Sequence, residues 1–583
     1  MEMRHLKPAP TPEDATGLRV PMRDGVELAA DLYRPAHGRP APTILIRTPY
    51  NKAMGAPLWD LPAIARIFVS HGYAVVAQDV RGKFLSGGAT EPYKNEIDDG
   101  YDTIDWIVQQ PWCDGNIGMW GTSYFGFTQL AAVASGHPAL KCIVPRMTGT
   151  ELGFPMENPD GARDVEHAVF RWYFGQVYVV RDMYMFPLDW SKRPLTSIFE
   201  PFYEHLGQRS TQMDASFEPE FFDRVIPRER LLANPTPTLF TVGIYDMAAV
   251  WSWRDIDAIQ AHPAWNGLLH LRIEAIDHEG YSLALAPMDD TKDHRLNPAA
   301  REKLEREIVD PTIPFFNKYL RGIGEGVPKV VYHFGADEWR TSETWPPLPS
   351  QTLRLHLDGD GPAAAGTLSL EPVKRRVARW RHDPDNPVRS IAVTEMAPCG
   401  PGVRSIFQEW ADLAPVGERD DVLAFASAPL EGDLELAGPV SLACMLSSTL
   451  RSADLFARLL DLAPDGTAGL ICRGHVRVPL EPVAEDASDG GLLARGRAVT
   501  VPLIHASSRV RAGHRLLLHI FGSDFPEYLF NPGDGSETWL AEHALAGTHG
   551  IEIGGLRGAA LTITAGGTPA AIRDAFAVKG PAA

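Results

Sequence analysis

Cysteine is scarce in this 583-residue chain: Cys113, Cys142, Cys399, Cys444 and Cys472 stand far apart, and no two form a C-x-x-C pair. An odd number at that spacing argues against a complete disulfide framework and against a zinc knuckle, and fits a reducing compartment. Long apolar runs are lacking too. No stretch approaches the roughly 20 apolar residues that span a bilayer, and the opening MEMRHLKPAPTPEDATG has no apolar signal-peptide core. The expected location is therefore the cytoplasm, with no membrane partner. Basic residues are in deficit: 55 Lys+Arg face 74 Asp+Glu, giving a net charge of −19. A field of that sign repels phosphate backbones and argues against nucleic acid as a partner. The phosphate-cradling patterns G-x-G-x-x-G and G-x-x-x-x-G-K-[ST] do not occur, so no nucleotide cofactor is expected.

What the chain does contain is a globular composition, 44% hydrophobic and 22% charged, with 52 Gly and 49 Pro spread without a short period. Its length implies roughly three to four domains. From residue 18 the text LRVPMRDGVELAADLYRP alternates apolar and polar residues about Asp24-Gly25, a hairpin signal with a turn that tolerates positive φ. Strand-like runs at 43–46 and 73–80 flank a helix-length segment near 60–70. A helix at 99–110, a strand at 117–120, a helix after Ser123 and a strand at 140–145 continue the alternation. Residues 1–150 thus predict the first part of an α/β core with a parallel sheet. Over 151–235 the alternation stops and aromatics crowd in, Phe154, Phe170, Trp172, Tyr173 and Phe174 among them, which predicts a helical insertion whose rings mostly pack it onto its neighbours. Strand runs at 238–245 and 269–276 resume the core over 236–347. From 348 to 583 short β-prone segments at turn-like spacing predict a jelly roll.

The sharpest local pattern is Gly121-Thr122-Ser123-Tyr124-Phe125-Gly126, lying between strand IGMW and the apolar helix FTQLAAVAS. At such a strand-to-helix elbow a strained turn thrusts the serine hydroxyl out over the sheet edge, and the next backbone N–H faces a developing oxyanion. Phe125 occupies the second glycine place of the strict G-x-S-x-G spelling, and Gly126 comes one later. A nucleophilic serine needs a base and a group that orients the base, in the chain order Ser, Asp/Glu, His at later strand ends. Asp246 ends the run TLFTVGIY, and Asp277-His278 end LHLRIEAI. Neighbours at a strand end point in opposite directions, which favours Asp246 over Asp277 as partner of His278.

Several stretches resemble the CocE/NonD family of serine hydrolases, the group similar to bacterial cocaine esterase, α-amino acid ester hydrolases and X-prolyl dipeptidyl peptidases. They are RDGVELAADLYRP (23–35), RTPYNK (47–52), QDVRGKFLSGG (78–88), DGYDTIDWIVQQPWCDGNIGMWGTSYFG (99–126), GIYD (243–246), DLELAGPV (433–440) and DLAPDG (461–466). The resemblance covers nearly the whole chain. It implies an α/β-hydrolase core with an inserted helical cap and a C-terminal jelly roll, with Ser123 as nucleophile, His278 as general base and acid, and Asp246 as its orienter. It also implies that the Tyr50 hydroxyl and the Tyr124 N–H form the oxyanion hole, that no metal or other cofactor is needed, and that a homodimer is the expected assembly.

The implied reaction is cleavage of a small-molecule carboxylic ester, or an amide, through a Ser123 acyl-enzyme. Ala248 stands where several relatives carry an acyl-pocket aromatic, which implies a differently shaped pocket. The first alternative is an X-prolyl dipeptidyl aminopeptidase, whose substrate ammonium would seek Glu157, Asp160, Asp164 or Glu166; the second is an inactive carbohydrate- or protein-binding protein. Asp79, Arg81 and Gly82 are expected to brace the loop near the elbow through an ion pair, and Asp98, Asp99 and Asp102 to complement a helix N-terminus.

Overall fold

The computed structural model describes residues 4–53, 60–158, 160–168, 170, 173–178, 180–186, 188–282, 285, 289–335, 338–362, 365–390 and 412–576. Cys399 and Trp172 lie outside them. The chain first forms the expected hairpin, β1 (Thr16–Pro21) against β2 (Glu27–Tyr33), turning at Asp24-Gly25. Then follow β3 (Ala41–Thr48), α1 (Leu61–Ser70), β4 (Ala74–Asp79), α2 (Glu96–Val108), β5 (Cys113–Thr122), α3 (Tyr124–Ser135) and β6 (Leu140–Arg146). After the insert come β7 (Thr238–Gly243), α4 (Ala249–Ala261), β8 (Leu269–Glu274), α5 (Pro298–Val309), α6 (Ile313–Arg321), β9 (Val330–Phe334) and β10 (Glu338–Ser342).

These strands make one sheet in the order β10-β9-β8-β7-β6-β5-β3-β4-β2-β1. Pairing is parallel from β4 across to β9 and antiparallel at both edges. Helices cover both faces, so β3, β4 and β7 are buried along their whole length. That double burial is why they read as continuous apolar runs rather than alternating ones. The Asp60 side chain caps α1 by accepting from the Ala63 N–H at 3.0 Å, with Pro62 in the first turn where its missing donor costs nothing.

The segment between β6 and β7 folds as short helical turns, including Glu200–Leu206, Thr211–Ala215 and Arg228–Leu232, with a strand Met183–Met185 that pairs with Arg4–Leu6 near the N-terminus. Phe154, Phe170, Tyr173, Phe174, Phe199 and Phe202 are buried, and many of their rings meet edge-on, as Phe174 does Phe221 at 5.0 Å. The C-terminal jelly roll is a second β unit with long strands, Leu434–Ser448 against Arg497–Val510 and Ser452–Leu462 against Ala468–Pro479. Its core holds Leu436, Leu442, Leu455, Val501, Leu518 and Ile563. The jelly roll is tied to the core sheet: Trp253 of α4 stacks on His505 at 3.6 Å, and the Ser507 hydroxyl donates to the His333 carbonyl at 2.5 Å. It is tied to the insert by backbone bonds between Arg163 and Arg477 at 2.8 and 2.6 Å.

One buried ion pair fixes the loop after β3 on the hairpin. Lys52 Nζ lies 2.5 Å from Asp31 Oδ2, both side chains are enclosed, and Thr11 Oγ1 donates to the other Asp31 oxygen at 2.6 Å. Lys52→Met leaves a buried carboxylate without its counter-charge and is expected to cost about 3–5 kcal/mol in urea unfolding. Adding Asp31→Leu should restore most of that loss, whereas equal losses in the single and double variants would show that the pair is not the coupled unit.

Candidate active site

The parallel strands deliver Ser123, Asp246 and His278 to one edge of the sheet, at the C-terminal ends of β5, β7 and β8. Ser123 sits at φ 58°, ψ −124°, left-handed territory that a side-chain-bearing residue occupies only when its surroundings enforce it. The enforcement is visible. Its N–H donates to the Arg146 carbonyl at 2.9 Å, and its own carbonyl accepts from the Gly126 and Phe127 N–H groups, each at 2.9 Å. Gly121, at φ 155°, has no room for a side chain: a Cβ there would meet the Phe125 ring at 2.2 Å and its carbonyl at 2.7 Å. At Gly126 a Cβ would meet Thr148 at 2.7 Å, which explains a glycine at that place rather than one position earlier. Gln129 closes the elbow from beneath, donating to the carbonyls of Gly121 and Phe125 at 3.2 and 3.0 Å and accepting from the Val144 N–H at 2.9 Å.

Tyr124 opens α3, whose first-turn N–H groups run along the helix axis toward the site. Its side chain points the other way, into the core. The hydroxyl donates to Glu96 Oε1 at 2.9 Å and accepts from the Tyr93 N–H at 2.7 Å, and burial pushes the phenol far above its ordinary value. Glu96 is held in turn by Arg47 at 2.9 Å, and Arg47 Nε donates to Gln78 Oε1 at 2.8 Å. These contacts join RTPYNK, QDVRG and the helix before the elbow into one buried support, which sequence reasoning did not identify; the polar letters within buried strands were the available signal. Tyr50 is buried beside it, its ring edge-on to Phe125 at 6.1 Å and tilted against Tyr173 at 6.0 Å.

His278 Nδ1 lies 2.6 Å from Asp246 Oδ1, both side chains buried, an arrangement in which Nδ1 carries the proton and Nε2 is left to accept. The same oxygen accepts from the Ala248 N–H at 2.9 Å. The two loops are bonded to each other, Ile244 N–H to the Glu274 carbonyl at 2.9 Å and Tyr245 N–H to Ile276 at 3.2 Å. Asp277 turns away and braces its own loop through the Glu279 and Tyr281 N–H groups at 3.1 and 2.9 Å. Burial, with Glu279 nearby, raises its carboxyl well above the ordinary value. Burial likewise pushes Glu279 up to about 7, although Arg295 stands 3.3 Å away. The jelly roll reaches this edge as well, since the Tyr245 hydroxyl donates to the Leu470 carbonyl at 3.3 Å.

One expectation is corrected. Arg81 does not pair with Asp79; it forks onto Asp99 at 2.6 and 3.0 Å and meets Asp24 at 2.7 Å, pinning the hairpin turn to α2. Asp79 instead accepts from the Lys52 and Leu85 N–H groups at 2.7 and 3.3 Å, and burial pushes it up to about 7. The reason is depth: Asp79 is enclosed among backbone donors, while Arg81 needs partners nearer the surface. The acidic residues of the insert are engaged too. Glu157 pairs with Arg163 at 3.6 Å, Asp160 caps the Ala162 N–H at 3.0 Å, Asp164 meets Arg254 at 3.3 Å, and Glu166 accepts from Trp539 Nε1 at 3.0 Å. Among the described residues no cluster of three or more His, Cys, Asp or Glu could hold a metal ion, and no helix is long and apolar enough to cross a membrane.

Comparison with known proteins gives the following. Residues 24–278 match the X-Pro dipeptidyl-peptidase (S15 family) profile, and residues 324–569 match the X-Pro dipeptidyl-peptidase C-terminal non-catalytic domain. Cocaine esterase from Rhodococcus sp. (strain MB1 Bresler) is 32% identical over 553 residues, spanning 89% of this chain and 92% of that protein. The solved structure of an α-amino acid ester hydrolase superposes with a TM-score of 0.76 at 22% identity, covering 96% of this chain and 98% of that one. An aminopeptidase from the marine sediment archaeon Thaumarchaeota archaeon gives 0.74 at 22% identity, covering 96% and 98%. At that identity the two structures bear on the fold alone.

Two outcomes follow from the geometry. Gly121→Ala should lose about 3 kcal/mol or more of stability in urea unfolding, because a ring and a carbonyl occupy the methyl position; a wild-type midpoint would show that the elbow relaxes freely. Asp79 in the folded chain keeps its proton up to about pH 7, while unfolded it releases it near 3.8. Between those values the folded state binds more protons, so this residue's contribution to stability falls as pH rises and levels off above about 7. The stability of Asp79→Asn minus that of wild type should therefore grow between pH 4 and 7, by about 2–4 kcal/mol. A pH-independent difference would contradict the assignment.

Proposed function

We propose that this chain, which belongs to the CocE/NonD family of serine hydrolases, cleaves small-molecule carboxylic esters through an acyl intermediate on Ser123. The observation that carries the reading is the 2.6 Å pair of His278 Nδ1 and Asp246 at strand ends adjoining a strained serine elbow. In the first half-reaction His278 Nε2 takes the Ser123 hydroxyl proton as the oxygen attacks the ester carbonyl. Asp246 keeps the imidazole in the tautomer that can do so and stabilises its protonated form. The carbonyl oxygen gains negative charge and is met by the Tyr50 hydroxyl and the Tyr124 N–H, neutral donors that add no ionic desolvation cost. His278 passes the proton to the leaving alcohol, then activates a water that releases the acid and restores Ser123.

The insert over residues 151–235 supplies the substrate pocket beside Met247 and Ala248, and the jelly roll over 348–583 backs the loop that carries Asp246. The reaction is assigned to the cytoplasm, a placement supported by four buried free cysteines, Cys113, Cys142, Cys444 and Cys472. An amide leaving group needs a better-placed proton than an alcohol does, which is why the ester is the reading adopted.

Tyr50→Phe should lower kcat toward p-nitrophenyl esters about 10²–10³-fold with an unchanged unfolding midpoint; unaltered turnover would remove Tyr50 from the mechanism. Rates on p-nitrophenyl esters should exceed those on Gly-Pro and Ala-Pro anilides, and the reverse order would replace the esterase reading by the X-prolyl peptidase.

A further inference from the structure

A cavity of about 650 Å³ is lined by Arg146, Arg272 and Glu274 of the sheet, by α5, and by Ile276, Gly280 and Ser282 of the loop that carries His278; Ser123 does not line it. Its floor follows from strand register. Arg146 of β6 stands opposite Thr241 of β7, and Thr241 opposite Arg272 of β8, so the three share one face; Glu274, two residues on from Arg272, shares it as well. Charged residues on the interior strands of a doubly covered sheet are costly unless each is matched. Arg272 is matched, donating through Nε to Glu274 and lying 4.3 Å over the Trp339 ring. Arg146 is not. Its side chain is 1% exposed, its nearest carboxylate is Glu274 at 3.8 Å, and neither Nε nor Nη2 has a hydrogen-bond partner among the described residues.

Those two atoms form one edge of the guanidinium, the fork that matches the two oxygens of a carboxylate. Elsewhere this chain uses that edge in just this way: Arg66 on Asp14, Arg81 on Asp99, Arg419 on Asp421 and Arg477 on Asp454. Around the floor the wall is mixed: Ile276, Leu304, Ile308 and Pro311 are apolar, while Lys303 pairs with Glu307 at 3.7 Å and Lys292 with Asp289 at 3.9 Å. With both lysines paired to carboxylates, the two guanidiniums of the floor against Glu274 leave one positive charge there to neutralise. Burial would raise Glu274, but Arg272 and Arg146 overcome it and hold the carboxyl below its usual range, so it stays ionised and disfavours a dianion.

We propose that this cavity is a binding site for an organic monocarboxylate, its head on the Nε/Nη2 edge of Arg146 and its apolar body against α5. The inference stands apart from the reading of Ser123. Isothermal titration of the full chain with 4-phenylbutyrate should give a bound equivalent that 4-phenylbutyramide, of the same shape without charge, fills about tenfold more weakly or worse. Ala300→Trp, which fills the cavity from the half-buried face of α5, should bind one equivalent fewer while keeping wild-type ester hydrolysis. Arg146→Gln, where it folds, should also bind one equivalent fewer, and Glu274→Gln should bind the acid more tightly, a gain that misfolding cannot mimic. Equal affinity for acid and amide, an unchanged stoichiometry in Ala300→Trp, or tighter binding of inorganic phosphate than of the acid would each overturn the proposal.

Discussion

The left-handed backbone at Ser123 is the constraint around which the core is organised. A residue with a side chain at φ 58° is costly, and three separate provisions meet the cost: glycine at 121 and 126 where any Cβ would collide, the paired bonds from the Ser123 carbonyl into α3, and Gln129 bridging the elbow to β6. Together the provisions span β5, α3 and β6, so the elbow forms only when the three are in register. A strained turn of this kind also sets one hydroxyl apart from its buried neighbours and points the start of a helix at the space before it.

A second layer of polar residues carries that geometry outward. Arg47, Gln78, Glu96 and Tyr124 are linked under the elbow, and the loop after β3 is fastened to the hairpin by Lys52 and Asp31. Fully enclosed networks like this are expensive to assemble and expensive to break, which gives them a single arrangement. Tyr50 leaves β3 within the same loop, so the order of its ring rests on the network rather than on local preference. On the other side of the site the Asp246 and His278 loops are bonded to each other and the Tyr245 hydroxyl reaches the jelly roll, so the second domain bears on the position of the His278–Asp246 pair.

Much of this was legible in the residues. Continuous apolar runs located the buried strands because helices cover both faces of the sheet, and the spelling G-T-S-Y-F-G located the elbow because only glycine fits at two of its places. The ends of the runs at 238–245 and 269–276 pointed to Asp246 and His278, since open parallel sheets present polar residues there. What could not be read was partnership across long separations. Arg81 looked like a partner for its neighbour Asp79, but the fold brings Asp24 and Asp99 to it, and Asp79 is sunk among backbone donors. The unbonded Nε and Nη2 of Arg146 were equally hidden, because strand register and packing across the sheet decide how near a carboxylate comes to a buried arginine.

The account turns on whether the strained serine is chemically activated. Incubating the protein with a fluorophosphonate, digesting it and mapping the adduct by mass spectrometry, with Ser123→Ala in parallel, asks that directly. The account predicts a single adduct on Ser123 that vanishes in the variant. An adduct on another residue, or none on a folded protein, would contradict it.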